Sequence, residues 1–521
     1  MITCDYLVIG AGAASLGFVD TLLADLPSAK VVIVDKNPAP GGQWNDAYDF
    51  VRLHQPSLLY GVASKQLEGH WMRLMMTNLT LPWNHRATKK EILAYFKKIV
   101  DGWVRKGQVT YYPRCVYDFK QEIKDNLHYL SSLNGNRIDP VKVNVKLVNG
   151  VLGECKVPSR CSVEFPVDEG VNVVTPNELY QNHHRNGNPM GQQYIILGAG
   201  KTAMDTIVYL QTQMKISPDL IRWIIPNDVW MMIRGTSHGG PWSYPRAVLK
   251  CNGDIEKACA MLSNQGSFGC LDDEVQPTRF RFPVVGKDEL LVMRKIRNVL
   301  RRGRVTSIKM KQENKVIVVD FESEKQPIFL PLEHGQKYTF VHCTSPGPFN
   351  GNDQKELFVS EKELDLVLLF APPISLSMSC LAKLESARRE GTMDIEFGRK
   401  LLMIKSNNCE LELRSDENHL TENDILKSLL CGFYVGGDKN AMLQTIINLA
   451  MFIALVDNDP MVGYKWLTVN RLSMLAVPGF KCGIYDDLNE MVVKREVLGL
   501  SNCESEMLTL LSNRLSLLEG K

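Results

Sequence analysis

The chain has 521 residues, of which 45% are hydrophobic and 23% charged, as in an ordinary globular protein of about two or three domains. Because 60 Lys and Arg face 58 Asp and Glu, the net charge of +2 offers no electrostatic basis for binding nucleic acid. The longest apolar run near the C-terminus, 449–456, is far shorter than the ~20 residues of a membrane span. None of the 13 cysteines forms a Cys-x-x-Cys pair, which argues against disulfide reduction and predicts reduced thiols. We expect a cytoplasmic protein with no membrane span, no nucleic-acid partner and no metal site.

The N-terminal residues predict a strand, a glycine turn, a helix and a second strand. An apolar run leads into Gly10-Ala-Gly12-Ala-Ala-Ser15, and a second apolar run, 31–34, ends at Asp35. In a dinucleotide-binding unit the first glycine makes a tight turn, the second lets the backbone approach a pyrophosphate, and the third position must be small. An acid roughly 20 residues further on accepts hydrogen bonds from a ribose. The residues predicted to bind a dinucleotide here are Gly10, Gly12, Ser15, Asp35 and Lys36.

A loop-rich stretch from residue 36 to residue 62 follows this unit. It contains Gly41-Gly42-Gln43-Trp44 and then His54-Gln55. An irregular stretch of this length inside a domain is more often functional than decorative, so His54 and Gln55 are candidate catalytic residues. A structural role for a lone histidine stays open. Beyond the loop, the spacing of apolar residues predicts an amphipathic helix over 88–107, capped by Thr88 and Glu91.

A second strand and glycine turn begin at residue 193. Apolar residues run into Gly198-Ala-Gly200-Lys201-Thr202-Ala203, and a helix over about 202–214 and a strand over 220–225 are expected to follow. A phosphate-binding P-loop would need glycine where Ile195 stands, so we reject that interpretation. Two glycine turns in one chain indicate two dinucleotides with electron transfer between them. The predicted contacts of the second dinucleotide are Gly198, Gly200, Lys201 and Thr202.

The residues after the second unit bear on the choice of coenzyme. Pro226-Asn227 stands where an NAD-binding unit has an acid, which favours NADP over NAD. Arg234 is the nearest downstream cation that could meet a 2′-phosphate, although a solvated surface charge stays the alternative. Residues 226–290 are predicted to be irregular and lid-like, with a candidate substrate or nicotinamide pocket at 234–244. The basic residues between 294 and 304 predict a helix over about 288–302 with a solvated face.

Taken in order, these motifs resemble the two-dinucleotide-binding flavoproteins, specifically the flavin-containing monooxygenase-like and pyridine nucleotide-disulfide oxidoreductase-like group. The resemblance runs along nearly the whole chain and includes a late Gly437-Asp438. It implies an α/β fold of two Rossmann-like domains, in which a discontinuous FAD domain (1–165 and 341–521) surrounds an NAD(P) domain (166–340). It also implies that Gly42, Gln43 and Trp44 pass the flavin and that Asp438 bonds its ribityl chain.

The resemblance implies an enzyme: an FAD-dependent oxidoreductase reduced by NAD(P)H. Its expected activity is monooxygenation, with O2 as co-substrate, of a small organic molecule (N-, S- or Baeyer–Villiger-type oxygenation). Two alternatives stay open. One is an FAD-dependent dehydrogenase or oxidase with a vestigial nicotinamide site. It is favoured because Asn227 stands where similar NADP-binding proteins often have an arginine. The other is a non-catalytic FAD-binding protein. The substrate and the oligomeric state, including a homo-oligomer, are not decided by the sequence.

Overall fold

The computed structural model describes residues 1–67, 86–136, 138–151, 157–187, 192–235, 243–313, 315–322, 326–332, 336–345, 356–369, 374–408, 421–430, 439–470 and 483–518. The strands in these ranges are β1 (Ile2–Ile9), β2 (Val31–Asp35), β3 (Val109–Pro113), β4 (Cys115–Tyr117), β5 (Leu127–His128), β6 (Leu130–Ser132), β7 (Val141–Asn149), β8 (Val173–Val174), β9 (Gln192–Leu197), β10 (Ile221–Ile224), β11 (Val229–Ile233), β12 (Phe268–Gly269), β13 (Arg279–Val285), β14 (Asn298–Leu300), β15 (Val305–Lys311), β16 (Val316–Phe321), β17 (Ile328–Pro331), β18 (Lys337–His342) and β19 (Glu363–Asp365).

The helices in the same ranges alternate with strands in the first two thirds of the chain and then follow one another. They are α1 (Ala13–Asp25), α2 (Lys89–Arg105), α3 (Pro176–Asn186), α4 (Lys201–Thr212), α5 (Ser243–Lys250), α6 (Ile255–Asn264), α7 (Lys287–Met293), α8 (Ile374–Glu390), α9 (Ile395–Asn408), α10 (Glu422–Leu429), α11 (Lys439–Leu455), α12 (Pro460–Val469), α13 (Ile484–Val493), α14 (Arg495–Leu498) and α15 (Asn502–Leu515).

The first sheet is built from two separate parts of the chain, residues 2–149 and residues 363–365. Its strand order is β19-β7-β1-β2-β3 and these strands are parallel, while β5 pairs antiparallel with β7. The residues of β2 are all buried, as in a parallel sheet covered on both faces. Helix α1 packs closely on α8, since a Cβ added at Gly17 would lie 3.5 Å from Ser375 Cα. The first domain is therefore discontinuous, because β19 follows the whole of the second sheet.

The strands of the second sheet lie, in sequence, between β7 and β19 of the first sheet. Its order is β14-β10-β9-β18-β8, again with parallel neighbours. Helix α4 follows β9 directly, so strand, glycine turn, helix and strand recur as in the first unit. The antiparallel strands β15, β16 and β17 pack on one face through Ile308, Ile317 and Leu330. The predicted fold class, α/β with two Rossmann-like units of which the second is inserted into the first, is confirmed.

Two local predictions are wrong. Residues 226–290 are mostly regular, since β11 pairs with β12 and β13 and the helices α5 and α6 lie between them. The predicted helix over 288–302 ends at Met293, and Val299 lies instead in β14, paired with Trp223 of β10. Pairing with a buried strand edge outweighs the helical spacing of the basic residues, because burial against a neighbour decides strand formation more than local propensity does.

The capped helix predicted over 88–107 is confirmed as α2. Thr88 accepts a hydrogen bond from the Glu91 N–H at 3.3 Å, and Glu91 accepts one from the Thr88 N–H at 2.8 Å. Ile92, Phe96 and Trp103 are buried along one side.

Helices α8 to α15 form the C-terminal part of the fold. In the portion of the chain that the structure describes, no single helix has the length and apolar character needed to cross a membrane. Met442–Leu455 and Pro460–Val469 meet that criterion only when combined, and the two segments are bent by 115°.

Candidate functional site

The first glycine turn joins β1 to α1. Gly10 has a φ of +94°, which favours glycine, and its N–H donates to the Val34 oxygen at 2.7 Å. Gly12 is the N-cap residue of helix α1, which has no side-chain cap and no acidic residue in its first turn. The positive end of the helix dipole and its N–H groups therefore face the turn, which is how helix N-termini bind phosphate.

Asp35, at the end of β2, holds this turn in place. Its Oδ2 accepts a hydrogen bond from the Ala11 N–H at 2.5 Å, and its Oδ1 accepts one from the Asn37 N–H at 2.6 Å. Burial raises the pKa of Asp35, against the lowering effect of these two N–H groups. Each carboxylate oxygen keeps a further lone pair for a ribose hydroxyl. Lys36 is exposed beside it.

Ser15 lies on the inner side of the turn. Its hydroxyl is buried and has no hydrogen-bond partner among the described residues. A Cβ added at Gly10 would lie 3.5 Å from Ser15 Oγ, and one added at Gly150 would overlap it. The small side chain thus lets α1 approach the strand ends closely, as the third position of such a turn requires.

The loop with two glycines lies directly on the first turn. The Gly41 N–H donates to the Ala11 oxygen at 2.8 Å, and a Cβ added at Gly42 would lie 2.9 Å from Gly12 Cα. Trp44 is buried and its Nε1 donates to the Tyr60 hydroxyl at 2.6 Å, whereas Gln43 is exposed. The structure therefore brings Gly42, Gln43 and Trp44 to the N-terminus of α1.

The second glycine turn joins β9 to α4 and has an open side. Gly198 has a φ of +115°, and its oxygen accepts a hydrogen bond from Trp223 Nε1 at 2.7 Å. Gly200 is the N-cap residue of helix α4, which has no side-chain cap and no acid in its first turn, where Lys201 and Thr202 lie. A Cβ added at Gly200 would meet no described atom within 4 Å. A ligand can therefore approach this backbone, as a pyrophosphate does in a nucleotide-binding turn.

The same loop that covers the first turn also contacts the helix of the second. The Tyr48 hydroxyl donates to Asp205 Oδ2 on α4 at 2.8 Å. Phe50 stacks on Tyr209 of the same helix, with ring centroids 4.1 Å apart and planes inclined by 12°. Residues 41–54 therefore contact both the first glycine turn and the helix that follows the second.

A group of buried and partly buried charged side chains lies beside the first turn of α4. We call it the Glu289 cluster, and it consists of Arg86, Lys201, Asp205, Arg234 and Glu289. Glu289 Oε1 lies 2.6 Å from Arg86 Nη1 and 3.9 Å from Lys201 Nζ, and its Oε2 lies 3.2 Å from Arg234 Nη2. Lys201 also forms an ion pair with Asp205. Burial acts to raise the pKa of Glu289, but Lys201, Arg86, the Gly286 N–H and Arg234 outweigh it and lower the pKa to about 2.

His54 lies against this cluster. Its main-chain oxygen accepts a hydrogen bond from Arg234 Nε at 2.8 Å. Its Nδ1 is buried and has no hydrogen-bond partner within the described ranges. Burial, followed by the charge of Lys201, lowers the pKa of His54 to about 4, so the imidazole is neutral at neutral pH. Gln55 Nε2 donates to the Leu59 oxygen at 3.3 Å, within its own turn.

Arg234 and Arg301 take different positions in the second unit. Arg234 is buried beside Glu289, and the edge where β10 and β14 end carries Arg301 instead. Arg301 donates to both oxygens of Asp228, at 2.7 and 3.1 Å, and lies 3.3 Å from Asp272. Asp438 and residues 236–242 of the candidate pocket lie outside the described residues.

Sequence reasoning missed most of the Glu289 cluster. The pairing of Lys201 with Asp205 has a readable signal, since the two are four positions apart on a helix. Glu289 and Arg86 have no local signal, because they reach the cluster from distant segments of chain. No local sequence pattern indicates the contact between Tyr48 and Asp205 either.

Among curated proteins, the chain is similar to uncharacterised proteins of Mycobacterium tuberculosis and Mycobacterium bovis. The identity is 34% over 332 residues, which is 61% of this chain and 57% of each relative. The match thus spans little more than half the length of these relatives. No family model matches the chain.

Several solved structures are similar in backbone. One is the open crystal structure of cyclohexanone monooxygenase, with 14% identity and a TM-score of 0.43 over 74% of this chain and 87% of that one. Another is OTEMO in complex with FAD and NADP, with 12% identity and a TM-score of 0.45 over 75% and 85%. A third is a polycyclic ketone monooxygenase of Thermothelomyces thermophila, with 10% identity and a TM-score of 0.47 over 75% and 77%. The overlap of the backbones is therefore partial in each case.

Proposed function

We propose that the protein is an FAD-dependent oxidoreductase reduced by NAD(P)H. The observation that carries the proposal is the loop 41–54, which lies on one glycine turn and packs on the helix of the other. A dinucleotide bound at such a turn extends across the carboxyl ends of its strands. Two dinucleotides would then meet beside this loop, as transfer of a hydride between them requires.

The residues of the first unit fit FAD. The N-terminus of α1 would hold the diphosphate, Asp35 would accept a ribose hydroxyl, and Gly42 to Trp44 would lie along the chain that leads to the ring. Asp438 is proposed for the ribityl hydroxyls. When bound, FAD supplies the capacity to accept a hydride and pass its electrons on. The protein supplies binding, orientation and control of water.

The second unit fits a nicotinamide dinucleotide. The open side of Gly200 and the absence of an acid from the first turn of α4 leave room and favourable charge for a diphosphate. This openness supports a working site over a vestigial one. At the adenosine end, Arg301 is the cation available for a 2′-phosphate, which supports NADP as the coenzyme. NAD is the alternative, because Arg301 is paired with Asp228 in this structure.

As the finer proposal, the enzyme oxygenates a small organic substrate with O2, at nitrogen, at sulfur or beside a ketone carbonyl. The support is the order of motifs, from the Gly41-Gly42-Gln43-Trp44 loop to the second glycine turn. His54 is proposed to hold a hydrogen bond at its unpartnered Nδ1, to bound substrate or to a ring edge. Because the imidazole is neutral, it can donate or accept this bond without adding charge.

The test is a visible spectrum of the purified protein, taken before and after anaerobic addition of NADPH and again in air with amine, sulfide and ketone substrates. We expect a yellow protein that NADPH bleaches, and a product that gains one oxygen atom from O2. A bound flavin that NADPH does not reduce would favour the alternative, a dehydrogenase or oxidase with a vestigial nicotinamide site. A colourless protein that takes up no FAD would reject the proposal.

A further inference from the structure

The carboxylate of Glu289 joins segments that are far apart in sequence. It contacts Arg86, which precedes α2, Lys201 in the first turn of α4, and Arg234 at the end of β11. It also accepts a hydrogen bond from the Gly286 N–H at 2.7 Å, which caps its own helix. Only 4% of the Glu289 side chain is exposed, and the same is true of Arg234. A buried carboxylate shared in this way leaves its cations few alternative positions.

Arg234 extends this arrangement to the loop of the first unit. Its Nη2 faces Glu289, while its Nε donates to the main-chain oxygen of His54 at 2.8 Å. Since a guanidinium is planar and rigid, the position of Glu289 determines where Arg234 can hold the His54 main chain. Lys201, drawn between Asp205 and Glu289, belongs to the turn that carries Gly200.

We propose that Glu289 is a positioning residue of the nicotinamide half of the site: it holds Arg234 against the loop at His54 and Lys201 at the first turn of α4. The inference rests on the proposed function, since it concerns the nucleotide bound at Gly200. In this proposal Glu289 contacts neither dinucleotide itself and acts through Arg234 and Lys201, two of its three cations. Together with the contacts of Tyr48 and Phe50 on α4, these contacts set the separation between the loop and the second glycine turn, and with it the approach of the nicotinamide to the flavin.

The experiment compares Glu289→Gln with a matched control, Asp394→Asn. Asp394 is likewise a buried carboxylate: it accepts a hydrogen bond from the Phe397 N–H of the helix it precedes, at 2.9 Å, and one from Arg514 at 2.5 Å. Unlike Glu289, it lies among the C-terminal helices. FAD content, melting temperature, the Kd of NADP+ by titration calorimetry and the anaerobic rate of flavin reduction by NADPH are measured for both.

We expect Glu289→Gln to retain FAD, to bind NADP+ at least tenfold more weakly and to be reduced more slowly even at saturating NADPH. Asp394→Asn should lose melting temperature to a similar extent, with NADP+ affinity and reduction rate unchanged. Unchanged NADP+ binding and reduction in Glu289→Gln would overturn the inference, as would equal losses of binding in both variants.

If Glu289→Gln does not fold, Glu289→Asp decides the matter. It keeps the charge but withdraws the carboxylate from Arg234 and Lys201, so a loss of NADP+ affinity of at least threefold supports the inference and wild-type affinity rejects it. The wild type separates the two levels of proposal. A wild type that binds neither FAD nor NADP+ contradicts the proposed function itself, whereas a wild type that NADPH reduces leaves Glu289 alone in question.

Discussion

Arg234 Nε donates a hydrogen bond of 2.8 Å to the main-chain oxygen of His54, across 180 residues of chain. The bond joins the end of β11, in the inserted part of the protein, to the loop that leaves the first sheet. The loop therefore has a fixed contact with each half of the candidate site: Gly42 on Gly12 in one, and His54 on Arg234 in the other.

Asp35→Asn is expected to lower the flavin content of the purified protein. The amide has one acceptor oxygen, so the N–H of Ala11 or that of Asn37 loses its partner, at a cost of about 1–3 kcal/mol in a buried place. The measurement is flavin absorbance per mole of protein. Asp5→Asn is the control, since Asp5 also accepts a main-chain N–H, from Lys30 at 2.8 Å, but is removed from the glycine turn. Equal flavin content in both variants would contradict the role of Asp35.

Gly200→Ala is expected to weaken NADP+ binding at least tenfold while the melting temperature stays the same or rises. Its φ of −80° suits alanine, and the added methyl group meets no described atom within 4 Å, so it enters only the space a pyrophosphate would use. Titration calorimetry and thermal unfolding measure the two effects. Gly102→Ala, inside α2 and equally open, should stabilise the protein by about 0.5–1 kcal/mol and leave binding unchanged. NADP+ affinity like that of the wild type in Gly200→Ala would show that no nucleotide approaches this turn.

Asp228→Asn is expected to raise the preference for NADPH over NADH. Asp228 holds Arg301 through two hydrogen bonds, of 2.7 and 3.1 Å, and removing its charge frees the guanidinium for a 2′-phosphate. A charge-assisted hydrogen bond contributes about 1.5–3 kcal/mol, so the ratio of kcat/KM values should rise about tenfold.

Asp272→Asn serves as the graded control for this change. Asp272 makes a single 3.3 Å contact with Arg301 and is 40% exposed, so its removal should alter the ratio much less. If both variants change the ratio equally, or neither does, Arg301 does not recognise the coenzyme.

His54→Gln is expected to make stability less sensitive to acid. The pKa of His54 is lowered from 6.5 to about 4 in the folded protein, so between these values the unfolded chain binds the proton and the folded chain does not. This contribution to stability is present above pH 6.5 and is lost as the pH falls towards 4. Urea unfolding at about pH 7 and about pH 4.5 should show that the variant loses about 2–3 kcal/mol less than the wild type. The same loss in both proteins would mean that His54 is not held neutral.

Several local features of the fold could be predicted from the sequence alone. Gly10, Gly198 and the capping pair of Thr88 with Glu91 each follow from what one short segment of backbone requires: a positive φ or a partner for an N–H group. Helix and strand boundaries in the two glycine units agree with expectation to within a few residues for the same reason. The predictions were wrong where contacts with distant segments determine the secondary structure. Val299, for example, lies in a strand because it pairs with β10.

The sequence by itself determined the two units of strand, glycine turn and helix and their order, because turn geometry and apolar runs are properties of neighbouring residues. Only the tertiary structure decided which charged side chains pair with each other. Arg234 lies beside Glu289 and His54, whereas Arg301 pairs with Asp228. A buried charge must be paired with whatever opposite charge the folded chain brings within reach. Those partners come from segments whose proximity no local pattern encodes.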